Sequence, residues 1–201
     1  MTEIIKNSGE LLHNFMIFEY SDVEPSKSSD GIVTMKGIIQ KAQSPNANNR
    51  IYPRPILERE DAKYQELIKE RRSLGELDHP DSPIVQLENV SHLITETKWD
   101  GDNLMGTVEV LDTPKGQILE KLIGRDIKLG ISSRGLGSTS RTNEGYDMVE
   151  DDFSLVCYDM VSNPSTSGAY MNLQESMEYK TLISQNRMVL LDEILNDILE
   201  L

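Results

Sequence analysis

Three histidines and a single cysteine, Cys157, are all that this chain of 201 residues offers to chemistry based on imidazole or thiolate. One cysteine cannot close an internal disulfide, so the sequence reads as that of a protein kept in a reducing cytoplasm. No apolar run approaches the roughly 20 residues that a membrane span requires. The opening stretch MTEIIKNSGELLHNFMIFEY also lacks the basic start and continuous apolar core of a secretory signal. Basic residues are scarce as well. With 34 acidic against 20 basic side chains the net charge is −14, and such a chain repels the phosphate backbones that proteins bind through lysine and arginine. Neither nucleic acid nor membrane is expected as a partner. The histidines are scattered rather than clustered at ligand spacing, so no metal is expected. The glycines fit neither the phosphate-loop nor the dinucleotide pattern, so no cofactor is expected.

What is present divides into three parts. Residues 1–30 end in SDVEPSKSSD, a polar stretch with too few apolar side chains to bury, and read as a flexible N-terminal segment. A folded domain is expected over 31–168. In it IVTMKGIIQ (Ile32–Gln40) is rich in β-branched residues and predicts a strand. Ile56–Arg72, opened by Pro53 or Pro55, has the apolar spacing of an amphipathic helix. SLGELDHPDSP reads as a loop. Asn89–Lys98 and Leu104–Leu111 are strand-like and joined by WDGDN, whose Asp-Gly pair predicts a hairpin. Thr113-Pro114 opens a short helix that Gly124 closes. Ile127–Ser133 and Phe153–Val161 complete the strands, and SNPSTSG closes the domain. Residues 169–201 form a tail in which Met188, Leu191, Ile194, Leu195, Ile198 and Leu199 mark one apolar face of a helix.

The run KLGISSRGLGS (Lys128–Ser138) ends a strand-like stretch with two serines, an arginine and closely spaced glycines. Glycine marks a sharp exit from a strand or a backbone crowded by a neighbour. Serine followed by glycines can expose both a hydroxyl and unshielded amides, the two things a serine nucleophile and its oxyanion require. A base is also needed. His13 lies in the N-terminal segment, and His92 alternates with Val90 and Ile94 inside a strand, where a structural imidazole is expected. His79 sits in a loop between Asp78 and Pro80, where a scaffold commonly displays functional side chains. Cys157 lies mid-strand among Leu155, Val156 and Tyr158, so a buried inert thiol is expected there rather than a nucleophile paired with His79.

GELDHP around His79, then GISSRGLGS, then NEGYDMVEDDFSL running into DMVSNPS, resembles the prohead core protein proteases of large contractile-tailed bacteriophages. These are serine peptidases of capsid maturation grouped with the herpesvirus assemblins. The resemblance runs from about Gly37, through NNRIYPRPILE, to about Ser167. It implies an α+β fold, a mostly antiparallel β-barrel flanked by helices. It implies His79 as base and Ser132 as nucleophile, with Ser133 as the competing serine. Strand alternation puts the two serines on opposite sides of the sheet, so only one can share a site with His79. Arg134 and the amides after it, from Gly135 on, become candidates for oxyanion support. The assemblins use a second histidine after the serine, but none follows His92 here. A carboxylate must serve as third member, and Asp159 is favoured over Asp152 and Glu150.

The function so implied is an endopeptidase inside the assembling prohead, in the host cytoplasm, that cuts phage scaffold, capsid and internal core proteins and itself. Phage relatives favour cleavage after glutamate two residues beyond leucine or isoleucine. Such triplets stand at Ile17-Phe18-Glu19, Leu173-Gln174-Glu175, Leu191-Asp192-Glu193 and Ile198-Leu199-Glu200. A homo-oligomer is compatible with the chain. The alternative is a non-enzymatic scaffold or core component of the same fold, acting through its acidic surface and C-terminal helix. A serine esterase would carry a GxSxG elbow, which is absent.

Overall fold

A computed structural model of the chain describes residues 11–13, 26–27, 32–80, 82–125 and 127–173. In chain order these form β1 (Leu11–His13), β2 (Ser26–Lys27), β3 (Val33–Lys41), β4 (Arg50–Ile51), α1 (Arg54–Lys69), β5 (Leu74–Glu76) and β6 (Val90–Asp100). Then come β7 (Asn103–Val110), α2 (Pro114–Ile123), β8 (Leu129–Leu136), β9 (Thr139–Arg141), β10 (Asp147–Val149), β11 (Ser154–Val161) and β12 (Tyr170–Leu173). The predicted tail helix lies outside the described residues, as do three of the four Leu/Ile-x-Glu triplets and all but Leu173 of the fourth.

The main elements follow from local chemistry. β3 alternates buried and half-buried residues at period two until a bulge between Ile38 and Gln40 buries Ile39 and Gln40 together. The β6–β7 hairpin turns at Gly101, whose φ of 55° is open to glycine at little cost. α1 starts behind Pro53, with Pro55 in its first turn. It ends at Lys69, short of the expected Arg72, because Arg71 takes a φ of 55° and leaves the helix. α2 is capped by the Thr113 hydroxyl, which accepts the Gly116 N–H at 3.0 Å.

Nine strands build one sheet in the order β1-β8-β12-β3-β7-β6-β5, with β11 on β8 and β2 on β3, while β4, β10 and β9 form a second sheet. All ladders are antiparallel except β4 with β10. β11 runs along one edge of β8, so β12, at Leu129 and Gly130, and β1, at Arg134–Leu136, share the other. β5 and β11 meet through a single parallel bridge between Leu77 and Met160, with the Asp78 N–H donating to Met160 O at 2.8 Å. One bridge is not a ladder. Among the described residues the sheet curls toward closure without completing the barrel that the resemblance implies, and what stands is a mostly β fold with two helices.

Two further readings change. The presumed loop SLGEL contains β5, whose strand signal is masked by Gly75. β8 does not end at the serines but runs on to Leu136. β12 continues the sheet past residue 168, pairing with both β3 and β8. Two strands, β1 and β2, also fall within the segment 1–30.

One face of β8 and β11 sends Ile131, Tyr158 and Met160 into the main core, against Met35, Ile94 and Leu119. α1 packs a smaller cluster of Tyr52, Leu57 and Phe153 and fixes the start of β11. Its buried Glu60 accepts the Leu155 N–H at 3.0 Å, and Arg59 donates to Phe153 O at 2.7 Å. The ladder shifts register between Leu155 and Cys157, so the clamp sits at the bulge that sets which β11 residues turn toward Ser132.

Candidate active site

The side of β8 and β11 turned away from the main core is polar. In the antiparallel register Asp159 stands opposite Ser132 and Cys157 opposite Arg134, and directly opposed residues share a face with Cβ atoms about 5 Å apart. Ser132, Arg134 and Asp159 are all fully buried. Ser133 pairs with Tyr158 and so points the other way, where its hydroxyl accepts a hydrogen bond from Gln40 Nε2 at 2.8 Å.

His79 comes to the same carboxylate from β5. The chain leaves β5 at Glu76, bridges to Met160 through Leu77, and turns at Asp78, which takes the left-handed φ of 67° that aspartate tolerates better than most residues. The turn brings the His79 ring to Asp159, with Nδ1 donating to Oδ2 at 2.8 Å. An ionised carboxylate only accepts, so Nδ1 carries the proton and the basic nitrogen of the neutral ring is Nε2.

Asp159 is held by more than the imidazole. Its Oδ1 accepts from the Glu76 N–H at 3.0 Å, from Arg134 Nη2 at 3.2 Å and from the Cys157 thiol at 3.2 Å. Arg134 Nε also lies 2.8 Å from Oδ2, as an ion pair without hydrogen-bond alignment. Burial alone would push the Asp159 carboxyl up. The His79 hydrogen bond and the Arg134 charge outweigh it and hold the group below the usual carboxylate range. The Cys157 thiol is pushed well up by burial and by the charge of Asp159, with Arg134 opposing, so it is a protonated donor to Asp159 and a poor nucleophile. The rest of the Arg134 guanidinium is also engaged. Nη1 donates to Ser82 O at 2.6 Å, and Nη2 donates to Cys157 Sγ at 3.1 Å and lies 3.2 Å from Glu76 Oε2.

The other residues singled out in the sequence lie elsewhere. Asp152 is exposed and accepts the Ser138 N–H at 2.9 Å, and the Glu150 N–H donates to Ser138 O, both on the far side of the turn after β8. A Cβ at Gly135 would stand 2.6 Å from the Phe153 ring, and one at Gly130 would stand 2.1 Å from Pro164. The glycines around the serines answer to close packing.

These features can be compared with known proteins. A family model described as prohead core protein serine protease matches residues 3–181. The chain belongs to this family. It is similar to the prohead core protein protease of Enterobacteria phage T4, 33% identical over 177 residues, which cover 86% of this chain and 83% of that protein. The structure of the bacteriophage T4 capsid assembly protease, gp21, shares its fold with a TM-score of 0.65 and 28% identity, covering 77% of this chain and 99% of that one.

For a member of a prohead protease family, the constellation contains what acyl transfer asks for. It holds a hydroxyl, an imidazole in a defined tautomer and an ionised carboxylate that fixes it. Sequence reasoning missed the supports. Glu76 was visible inside GELDHP, three residues before His79, but nothing in its spacing announced that it would lie beside Arg134. His92 is structural, as expected: buried, it donates from Nε2 to Tyr158 O at 3.0 Å and accepts from the Ser91 hydroxyl at 2.8 Å. It thereby steadies the residue before Asp159.

Proposed function

We propose that this chain is a serine endopeptidase in which Ser132 attacks the scissile carbonyl, His79 moves the proton and Asp159 orients the imidazole. One observation carries the reading. Asp159 hydrogen-bonds His79 at 2.8 Å and stands directly across the ladder from Ser132, so a single carboxylate ties the base to the strand of the nucleophile. His79 Nε2 takes the Ser132 proton as the hydroxyl oxygen bonds to the carbonyl carbon, then returns it to the leaving amine as the peptide C–N bond breaks. Water repeats the sequence against the acyl-enzyme and releases the acid. Oxyanion support is assigned to main-chain N–H groups beside Ser132 rather than to the Arg134 guanidinium, whose N–H groups face Asp159, Cys157 and Ser82, or to the Arg134 and Gly135 amides, which stand in β8 between β11 and β1.

The substrates proposed are the scaffold, capsid and internal core proteins of a phage prohead, inside the shell, with cleavage after glutamate in Leu/Ile-x-Glu and removal of part of the chain's own termini. The T4 relatives named a prohead core protein protease and a capsid assembly protease support the setting. Kinship with the herpesvirus assemblins belongs to the same reading, supported by the curled antiparallel sheet whose margins meet at Leu77 and Met160. The test is labelling with a fluorophosphonate. The wild type should become modified at Ser132 and the Ser132→Ala protein should not. A folded wild type that resists the reagent at every pH would overturn the proposal.

A further inference from the structure

A triad acid in contact with an arginine poses an electrostatic problem. An imidazolium forms on His79 as the serine is deprotonated, and the negative charge of Asp159 is what stabilises it. Arg134, with Nε at 2.8 Å and Nη2 at 3.2 Å from that carboxylate, largely cancels the charge. A neutral pair would leave the base weakly supported.

Glu76 supplies the missing charge. Its side chain is fully buried, and Oε2 lies 3.2 Å from Arg134 Nη2 while accepting no hydrogen bond. An oxygen buried without a hydrogen bond costs stability, so its contact with the cation is electrostatic rather than geometric. The other oxygen, Oε1, accepts the Gln86 N–H and holds the loop that follows His79. Among the described residues, the other ionisable groups around Asp159 are His79 from that loop, Arg134 from β8 and Cys157 from β11, with His92 of β6 and Tyr64 of α1 near enough to feel its charge. Asp159, Arg134 and Glu76 together form a buried cluster of net charge −1, that of a lone aspartate.

We infer that Glu76 is a positioning residue of the reaction: it offsets Arg134, so that Asp159 can be rigidly held by a guanidinium and still present a net negative charge to His79. This rests on the Ser132–His79–Asp159 reading. The relay predicts that Glu76 acts on the chemical step and not on binding.

The experiment uses the full chain and a fluorophosphonate, reading the saturating labelling rate, the half-saturating concentration and the pH dependence. The downfield proton resonance of His79 Nδ1–H is a readout that needs no activity. Glu76→Gln keeps the Oε1 acceptor for Gln86, removes the charge and sets an amide donor in place of Oε2 beside Arg134 Nη2. The saturating rate should fall about tenfold, the half-saturating concentration should stay, and the acidic limb should move about one unit to lower pH, because a less stabilised imidazolium gives up its proton sooner. The resonance should move upfield. Glu76→Asp keeps the charge and should retain most of the rate, and a loss equal to that of Glu76→Gln would overturn the inference. So would a Glu76→Gln protein with unchanged rate, limb and resonance. If Glu76→Gln does not fold, the effect is read on Arg134→Gln, where no cation remains to be offset. Arg134→Gln should move the acidic limb to higher pH and the added Glu76→Gln change should bring it back toward the wild-type position, whereas a double variant indistinguishable from Arg134→Gln in limb and resonance would overturn the relay. Failure of the wild type to label would sink the Ser132 assignment instead. The resonance alone would then decide the relay, supporting it by moving and overturning it by staying.

Discussion

Gln40 and Ser133 meet through a 2.8 Å hydrogen bond on the opposite side of β8 from Asp159. The contact is buried, and the Gln40 carbonyl in turn accepts from the Thr166 hydroxyl at 2.8 Å. The second serine of the SSRG run is thereby tied to β3 and to the loop before β12. Ser133→Ala strands a buried amide donor and should lower stability by about 1–3 kcal/mol, read by urea unfolding, while fluorophosphonate labelling persists. Ser132→Ala should unfold near the wild-type midpoint and lose labelling. Labelling that disappears in Ser133→Ala and survives in Ser132→Ala would exchange the two assignments.

The contact between His79 and Asp159 sets a second expectation. His79→Ala should be as damaging as Ser132→Ala, and the double variant little worse, because a base and its nucleophile act as one unit. Asp159→Asn preserves the shape but favours the wrong imidazole tautomer, and should lower the rate by about three to four orders of magnitude. Asp152→Asn, at an exposed carboxylate that binds the Ser138 N–H, should leave the rate within twofold. Equal losses at Asp152 and Asp159 would refute the choice of third member.

Gly135 separates packing from catalysis. A Cβ there would stand 2.6 Å from the Phe153 ring and 2.7 Å from Ser154 O, and the latter, being backbone, cannot turn aside. Gly135→Ala should cost about 1–3 kcal/mol of stability, with the folded fraction still labelling at a near-normal rate. An unchanged unfolding midpoint combined with lost labelling would mean instead that this glycine serves the oxyanion.

Much of this architecture was legible because local and tertiary preferences agree in it. The Asp-Gly hairpin, the Thr113 cap and the alternation of β3 and β11 each carry their own signal, and each element formed within a few residues of its predicted place. β5 was lost because Gly75 has no side chain to declare a strand. Its glycine is required by something remote in sequence: a Cβ at Gly75 would lie 2.2 Å from His92 Nε2 and from Tyr158 O. The site divides in the same way. His79 and Ser132 were singled out by the resemblance and Asp159 by its place in the strand after the serine, whereas the burial of Arg134 between Asp159 and Glu76 depends on β5 meeting β11, a long-range contact with no local signature. The guanidinium was assigned to the oxyanion because sequence order shows its nearness to Ser132 and hides its nearness to the carboxylates.

The same closure makes the fold sensitive to acid through His92. Burial lowers its pKa from 6.5 to about 4, against the opposing influence of the Asp159 charge and the Tyr158 carbonyl. The unfolded chain therefore binds more protons than the folded one between those two values, and stability must fall as pH falls through that window. It is fully present above about pH 6.5, and roughly 2 kcal/mol of it should be gone by about pH 4.5. The depressed Asp159 carboxyl has the same sign but acts lower, since its contribution is lost only as pH drops below the ordinary carboxylate value. Urea unfolding at about pH 7, 5.5 and 4.5 separates the two. The wild type should weaken across this range, and His92→Gln should be less stable at pH 7 but change less with pH, because the titrating group is gone. Parallel pH dependences for the two proteins would show that His92 does not carry the effect.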